Sequence, residues 1–117
     1  MPYIDLRQTE NHVEVYVGGI KVAETRRPWV MKEGPLPTRY YIPIDDVNME
    51  YLKRTETKSH CPIKGDATYW SVVVDGKEYE DVVWEYREPI DGVKEIKGTV
   101  CFWNEKVERI VVDGEEF

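Results

Sequence analysis

Hydrophobic and polar residues alternate one by one through several short stretches of the chain. In the clearest case, two alternating runs within residues 12–24 flank a Gly-Gly turn. Alternation of this kind is typical of a strand with one buried face, and the two-residue glycine turn predicts a β-hairpin. Pairing Val17 with Ile20 places Val15 opposite Val22. The buried face would then hold Val13, Val15, Val17, Ile20 and Val22, and the other face Glu14, Tyr16, Lys21 and Ala23.

A longer hairpin is predicted where residues 67–74 and 77–86 flank Asp75-Gly76, because Asp-Gly is favoured where both turn residues need positive φ. A two-residue turn pairs Val74 with Lys77. On one face this register places Trp70 opposite Asp81, Thr68 opposite Val83 and Val72 opposite Tyr79; on the other it places Tyr69 opposite Val82 and Ala67 opposite Trp84. Both faces carry bulky groups, so the sheet is either sandwiched or lines a pocket or partner surface. A bulged turn would shift these pairs.

The remaining pattern predicts short strands and hardly any helix. Strands are expected at residues 29–31, 39–42 and 48–52, a third hairpin at 99–103 and 107–112, single helical turns at 44–47 and 93–96, and an acidic tail or last turn at 113–117. Seven to nine short strands favour an all-β fold: a single antiparallel β-sandwich or a partly open barrel with one or two short helical turns. The length fits one domain, residues 1–117.

Composition narrows the classes of partner. The net charge of −7 and the absence of any basic run argue against nucleic acid, whose phosphates require a concentrated basic surface. No apolar stretch approaches the roughly 18 to 20 residues that span a bilayer, and the N-terminus lacks a secretory pattern. We therefore expect a cytoplasmic protein, a monomer or homodimer, with neither nucleic acid nor membrane as partner.

Cysteine and histidine are scarce. Cys61 and Cys101 are the two cysteines, and His12 and His60 the two histidines. A disulfide is unusual in a reducing cytosol, so both thiols are expected to be free. A structural zinc takes closely paired ligands, and no Cys-x-x-Cys pair is present. The sequence therefore predicts neither a metal site nor a cofactor.

The densest cluster of reactive side chains lies in residues 57–66, which we interpret as a loop that enters an aromatic strand. Cys61 is a candidate nucleophile activated by nearby Lys64, or an inert packed thiol. His60 is a candidate general base or a residue that hydrogen-bonds the loop to itself, although adjacent side chains on extended backbone point apart. Lys64 can meet a ligand anion or remain a solvated charge, and Asp66 can cap the turn.

Aromatic residues concentrate on the same strand pair. Tyr69, Trp70, Trp84 and Tyr86 are either core residues or a wall on which a flat ligand stacks. Asp81 is the one charge placed opposite Trp70 in this register. It either accepts the indole N–H or a loop amide, or it acts as a catalytic carboxylate.

Three segments resemble a known family. They read Ser-His-Cys-Pro-Ile-Lys-Gly-Asp-Ala-Thr-Tyr-Trp-Ser-Val at 59–72, Asp-Val-Val-Trp-Glu-Tyr-Arg-Glu-Pro at 81–89 and Ile-Lys-Gly-Thr-Val-Cys-Phe at 96–102. Together they resemble the domain-of-unknown-function 427 family over nearly the whole chain. Ile63 replaces a frequent aromatic and Cys101 a frequent alanine, so neither position carries chemistry general to the family.

The resemblance implies a single small β-domain, similar to the β-tent group but without the paired zinc cysteines of those relatives. Some members carry the label nucleotidyltransferase. This chain lacks a Gly-Ser pair followed by Asp-x-Asp, and the side chains of Asp45 and Asp46 diverge, which argues against nucleotidyl transfer.

Three hypotheses for function remain. The first is a small-molecule binding module for a planar or anionic ligand, with its site at the His60–Trp70 loop and ligand-binding residues His60, Lys64, Asp66, Tyr69, Trp70, Trp84 and Tyr86. The second is a small enzyme that uses Cys61, His60, Lys64 or Asp81. The third is a protein-interaction domain that pairs through a sheet edge. We expect one concave site to contain His60, Lys64, Asp66, Asp81 and Trp84.

Overall fold

The computed structural model of the protein describes residues 4–117, which form two antiparallel sheets. Strands make up 59% of the described residues and helical turns 11%, which confirms the predicted all-β sandwich; within the same residues neither sheet closes into a barrel. The strands are β1 Ile4–Gln8, β2 Val13–Val17, β3 Ile20–Thr25, β4 Trp29–Glu33, β5 Arg39–Pro43, β6 Leu52–Cys61, β7 Gly65–Val74, β8 Lys77–Tyr86, β9 Thr99–Phe102, β10 Arg109–Val112 and β11 Glu115–Glu116.

The larger sheet has the order β1-β4-β5-β9-β8-β7-β6, and the smaller sheet has the order β11-β10-β2-β3. In the part of the chain that the structure describes, three 3₁₀ turns connect strands: Ile44–Asp46, Met49–Tyr51 and Asp91–Ile96. The first and last confirm the helical turns predicted at 44–47 and 93–96. The strand predicted at 48–52 is wrong, because its residues form the middle 3₁₀ turn and β6 begins only at Leu52.

The main core lies between the two sheets and is built largely from valine. Val13, Val15 and Val17 of β2 are fully buried, as the alternation predicted, and pack in one cluster with Val83 and Phe102 of the larger sheet. Valine and phenylalanine suit strands because branched and aromatic side chains pack well on a pleated surface. Because this core covers the inner face of the larger sheet, the outer face remains available for a site.

The first hairpin has the predicted turn but not the predicted register throughout. Val17 pairs with Ile20, as expected, whereas Val15 pairs with Ala23 rather than Val22. A bulge in β3 adds one residue at this point, and both Val22 and Ala23 are buried. The prediction that Ala23 points to the polar face was therefore wrong, because a bulge breaks strict alternation.

The second hairpin also begins in the predicted register. Val74 pairs with Lys77 and Val72 with Tyr79, but beyond these pairs β8 contains two extra residues, so Trp70 lies opposite Val83 instead of Asp81. Asp81 takes a positive φ of 53° in this bulge. All pairs predicted beyond the bulge were wrong for this reason: Thr68 pairs with Glu85, Tyr69 with Trp84 and Ala67 with Tyr86.

The third predicted hairpin does not form. β9 lies between β5 and β8 in the larger sheet, whereas β10 pairs with β2 in the smaller one, so residues 103–108 cross from one sheet to the other. Every residue of β9 is buried because both faces of this central strand are covered. The C-terminal tail turns at Asp113-Gly114, where both φ angles are positive, and returns as β11.

A second hydrophobic cluster covers the outer face of the larger sheet, the face turned away from the smaller sheet. Met31, Tyr41, Tyr86 and Cys101 form its centre, and the 3₁₀ turn Asp91–Ile96 packs over it through Val93 and Ile96. Each has a relative exposure of 7% or less. The central part of the larger sheet is therefore covered on both sides, and the outer face is where the candidate site lies.

Candidate functional site

The segment predicted as a long reactive loop is mostly strand. β6 continues to Cys61 and β7 begins at Gly65, so only residues 62–64 form the turn. The N–H of Lys64 donates to the carbonyl of Cys61 at 3.2 Å, and the N–H of Ile90 donates to the carbonyl of Lys64 at 3.0 Å. Both the N–H and the carbonyl of Lys64 are therefore hydrogen-bonded, which holds the turn in place.

Gly65 allows this close packing. Its φ is +119°, a region that side chains of L-residues rarely occupy. A Cβ at this position would lie 3.2 Å from the backbone oxygen of Glu88. Glycine is therefore required both by the backbone conformation and by the neighbouring chain, and it determines where Lys64 emerges.

Lys64 reaches across the outer face to Glu33 at the end of β4, and its ammonium forms an ion pair with that carboxylate. Three strands lie between β4 and β7 in the sheet. In a flat sheet the two strands would be about 19 Å apart, more than one lysine side chain spans. The turn and this end of the sheet therefore curl over the outer face. Both side chains are largely buried, with 14% and 16% exposed.

A cavity of about 130 Å³ lies beside this ion pair. Its charged lining residues are Glu33, Arg39 and Lys64, its aromatic ones Tyr41, Trp84 and Tyr86, and its remaining ones Met31, Leu36 and Pro37. Lys64, Trp84 and Tyr86 were predicted as ligand-binding residues from the sequence. The structure brings these three together at one concave place.

Arg39 and Trp84 form one wall. The Arg39 guanidinium lies 5.2 Å from the Trp84 ring centroid, within the range of a cation–π contact. Its Nη1 donates to Asn104 Oδ1 at 2.8 Å and to Glu105 Oε1 at 2.9 Å. The Trp84 indole N–H donates to the hydroxyl of Tyr41 at 3.2 Å. These contacts hold the guanidinium and the indole in fixed positions.

Tyr86 is 7% exposed, yet its hydroxyl makes no hydrogen bond to any residue in the described range 4–117. Burial is the main cause that raises the pKa of Tyr86, and the nearby Cys61 and Tyr69 raise it further. Burial likewise raises the pKa of Tyr41 well above its usual value. Both phenols are therefore protonated at neutral pH and able to donate a hydrogen bond.

Other predicted site residues lie outside this cavity's lining. His60 and Asp66 face each other across the β6–β7 ladder, with Nδ1 and Oδ1 2.7 Å apart and side chains 69% and 85% exposed. Asp66 thus bonds to His60, not to a turn amide. Cys61 is half-buried, and its thiol makes no hydrogen bond to a described residue. Tyr69 packs on the outer face and its hydroxyl lies 2.9 Å from Ser59 Oγ.

Asp81 and Trp70 do not line the cavity, and their polar groups bond to residues elsewhere. The Asp81 carboxylate accepts hydrogen bonds from the hydroxyls of Thr55 at 2.7 Å and Thr57 at 2.6 Å. Trp70 packs against the core between the sheets, and its indole N–H donates to Glu85 at 3.0 Å. Asp81 is therefore not the acceptor for that indole. Of the five residues expected to converge, only Lys64 and Trp84 line the cavity.

Sequence reasoning missed Glu33, Arg39 and Tyr41. They lie on β4 and β5, far along the chain from residues 57–86, and no local motif marks them. Only the curl of the sheet brings them to Lys64. A short apolar strand with charged residues at one end is too common a pattern to have identified them.

A separate polar group lies on the smaller sheet. Ligand atoms of His12, Glu14 and Glu24 lie within 4.8 Å of one another. The Lys21 ammonium bonds to both carboxylates, at 3.2 Å and 2.9 Å. These bonds are the largest cause that lowers the pKa of Glu14 and of Glu24. The lysine already supplies the positive charge that a metal ion would bring, so we assign no metal here, and the expectation of no metal stays a prediction.

The fold and site together define an antiparallel β-sandwich with a small cavity on the outer face of its larger sheet. The family model described as "domain of unknown function (DUF427)" matches residues 5–113, and the chain belongs to that family. No curated protein matches it. The predicted similarity to the β-tent group stays a prediction. Among the described residues no helix is long and apolar enough to cross a membrane.

Proposed function

We propose that the protein is a small-molecule-binding module, with its site at the cavity beside Lys64. One observation carries the proposal: three residues chosen from the sequence as ligand-binding, Lys64, Trp84 and Tyr86, line the same cavity. The cavity combines apolar and aromatic walls with a few polar groups, which is the usual composition of a ligand site. The other four predicted residues would lie outside direct contact with the ligand.

The size of the cavity limits the ligand. Drug-sized ligands occupy pockets of about 300–1,000 Å³, whereas this cavity measures about 130 Å³. An apolar cavity of about 150 Å³ in another protein holds a benzene ring. The proposal therefore concerns a single ring or a group of similar size, not a whole nucleotide.

The other two hypotheses gain less support. The enzyme hypothesis needed a base near Cys61, but His60 bonds to Asp66 instead. The interaction hypothesis needed an open sheet edge; β6 is such an edge, yet it carries Lys53, Arg54 and Lys58, and charged residues of this kind discourage strand pairing. We also propose a cytoplasmic location, which the two free thiols support.

Binding of small planar fragments, charged and neutral, tests the proposal. Dissociation constants from calorimetry should rise about tenfold or more in Lys64→Met, since a hydrogen bond to a charged group contributes about 1.5–3 kcal/mol. Lys97→Met is the matched control, because Lys97 is exposed and its one ion pair with a described residue is to Glu88, at 3.6 Å. The affinity of Lys97→Met should equal that of the unmodified protein.

Lys64→Met should also lower the melting temperature, because it leaves the largely buried Glu33 without its partner. Affinity must therefore be measured well below the midpoint of unfolding, with near-ultraviolet circular dichroism as a check of folding. If no fragment of any charge binds to the folded protein, the proposed function is wrong. Equal loss of affinity in both variants would move the site away from Lys64.

A further inference from the structure

We infer that the ligand of this cavity is a small planar carboxylate, of the size of one aromatic ring that carries one carboxyl group. The inference rests on the proposed function and adds the chemical class of the ligand. It depends on an excess of hydrogen-bond donors over acceptors around the cavity, on the apolar walls of the cavity, and on its size.

The first donor is the Tyr86 hydroxyl. Tyr86 is more than nine-tenths buried and lines the cavity, and its hydroxyl has no partner among residues 4–117. Throughout the described residues, no fully enclosed polar side-chain atom lacks a hydrogen bond. The hydroxyl of Tyr86 is therefore not sealed against apolar atoms but meets open space, and the space that this residue lines is the cavity. A donor without a partner, on a side chain that is otherwise buried, calls for an acceptor inside the cavity.

The second set of donors belongs to Arg39. A guanidinium has five N–H groups, but the hydrogen bonds of Arg39 to Asn104 and Glu105 both use Nη1. Its Nε and Nη2 donate to none of the described residues. Its side chain is 22% exposed and stays over the Trp84 ring. A planar guanidinium with free N–H groups matches the geometry of a carboxylate.

Tyr41 adds a third donor. Its hydroxyl accepts the Trp84 indole N–H, and its own proton goes to no described residue. The acceptor oxygens of charged lining residues come from Glu33 alone, and Glu33 is already paired with Lys64. The lining thus offers free donors and one engaged carboxylate. A ligand with several hydrogen-bond acceptors can therefore pair with the free donors of the lining, whereas a ligand with mainly donors cannot.

The pairing of the cations and the shape of the cavity suit the same class. Lys64 is paired with Glu33 and Arg39 with Glu105, so a carboxylate ligand would gain from the unused N–H groups of Arg39 and not from a net charge of the lining. The Trp84 ring and the Met31 side chain provide apolar wall for a flat ring. The volume of about 130 Å³ holds roughly one ring. Benzoate is the simplest probe with these properties.

The test compares benzoate with two analogues of similar shape, neutral benzamide and cationic benzylammonium, by calorimetric titration at about 0.15 M salt. We expect benzoate to bind at least tenfold more tightly than benzamide, and benzylammonium more weakly still. Tyr86→Phe should weaken benzoate binding about tenfold, because it removes only the unpartnered hydroxyl. Tyr69→Phe is the matched control, since the Tyr69 hydroxyl lies near Ser59 and Tyr69 does not line the cavity.

Folding should not confuse this test. The Tyr86 hydroxyl makes no hydrogen bond within the described protein, so Tyr86→Phe is expected to keep the melting temperature within about 2 °C. Binding of benzamide or benzylammonium as tight as that of benzoate would overturn the carboxylate and leave small-molecule binding standing. Benzoate binding that Tyr86→Phe does not change would overturn the assigned donor. Failure of all three probes, and of a wider fragment set, would overturn the proposed function itself.

Discussion

Replacing Gly65 by alanine should destabilise the protein far more than the same replacement at other glycines. The φ of +119° costs an L-residue about 1–3 kcal/mol. The new Cβ would also press on the Glu88 carbonyl at 3.2 Å, and because the neighbouring atoms of residues 88–90 are all backbone they leave little room to relax. Alanine restricts the unfolded chain and returns about 0.4–1 kcal/mol. The net loss in the free energy of unfolding should be about 2–3 kcal/mol.

Two other glycines separate the contributions. Gly98 has a positive φ of 81° but open space around it, so Gly98→Ala should cost about 1 kcal/mol. Gly92 has neither a positive φ nor a near neighbour, so Gly92→Ala should be neutral or stabilise by up to about 1 kcal/mol. The loss in the free energy of unfolding should therefore be largest for Gly65→Ala, smaller for Gly98→Ala and absent for Gly92→Ala.

Urea unfolding followed by tryptophan fluorescence measures all three, provided that the slope m stays constant. Gly65→Ala should also weaken fragment binding, because the strain moves the turn that carries Lys64. If Gly65→Ala loses no more stability than Gly98→Ala, the packing of residues 62–65 against 88–90 does not determine the position of Lys64.

Three further predictions follow from single contacts. Burial raises the pKa of Cys101 to about 12 from an ordinary 9.0. Because the thiol ionises at lower pH in the unfolded chain, the free energy of unfolding should fall as pH rises above 9. Urea titrations should show a smaller fall between pH 9 and 10 in Cys101→Ala. Asp81→Ala removes the acceptor of the Thr55 and Thr57 hydroxyls at a residue with positive φ, and should lower the free energy of unfolding by about 2–4 kcal/mol. Asp81→Asn should lower it less, since asparagine tolerates this φ. Equal urea midpoints for the two variants would contradict this prediction. Melting temperatures with and without a strong chelator should coincide, and a drop of many degrees would show a structural metal that we have not recognised.

The elements that sequence predicted well are those that local chemistry determines. The alternation around Gly18-Gly19 and Asp75-Gly76 placed two hairpins, and the pairs nearest each turn, Val17 with Ile20 and Val74 with Lys77, were confirmed. A glycine-containing turn fixes the first pairs on either side of it. In the first hairpin, alternation also predicted that Val13, Val15, Val17 and Val22 face the core.

The elements that it missed depend on contacts between distant residues. The bulge in β8 forms where the Asp81 N–H donates to the Ser71 hydroxyl at 3.1 Å, and no turn residue marks it. β9 and β10 looked like a hairpin because both are short apolar runs and a short polar segment joins them. They lie in different sheets because β9 is a central strand with both faces buried. That burial depends on the packing of the whole sandwich and not on the local sequence.

The candidate site shows the same division. The motif around Lys64, together with Trp84 and Tyr86, was visible in the sequence because a reactive turn adjoins an aromatic hairpin. Arg39 and Glu33 were not visible, because they join the site only through the curl of the larger sheet. The ligand-binding roles of all these residues stay a prediction until binding is measured.

The most direct test of the binding site follows the tryptophan indole N–H signals in a ¹H–¹⁵N spectrum while small planar fragments, charged and neutral, are added. The Trp84 indole bonds to Tyr41 at the cavity, whereas the Trp70 indole bonds to Glu85 away from it. Trp84→Phe and Trp70→Phe assign the two signals. The account predicts at least one fragment that shifts the Trp84 signal in a saturable way and leaves the Trp70 signal in place. Spectra in which no fragment moves the Trp84 signal, or in which both signals move equally, would contradict a binding site at this cavity.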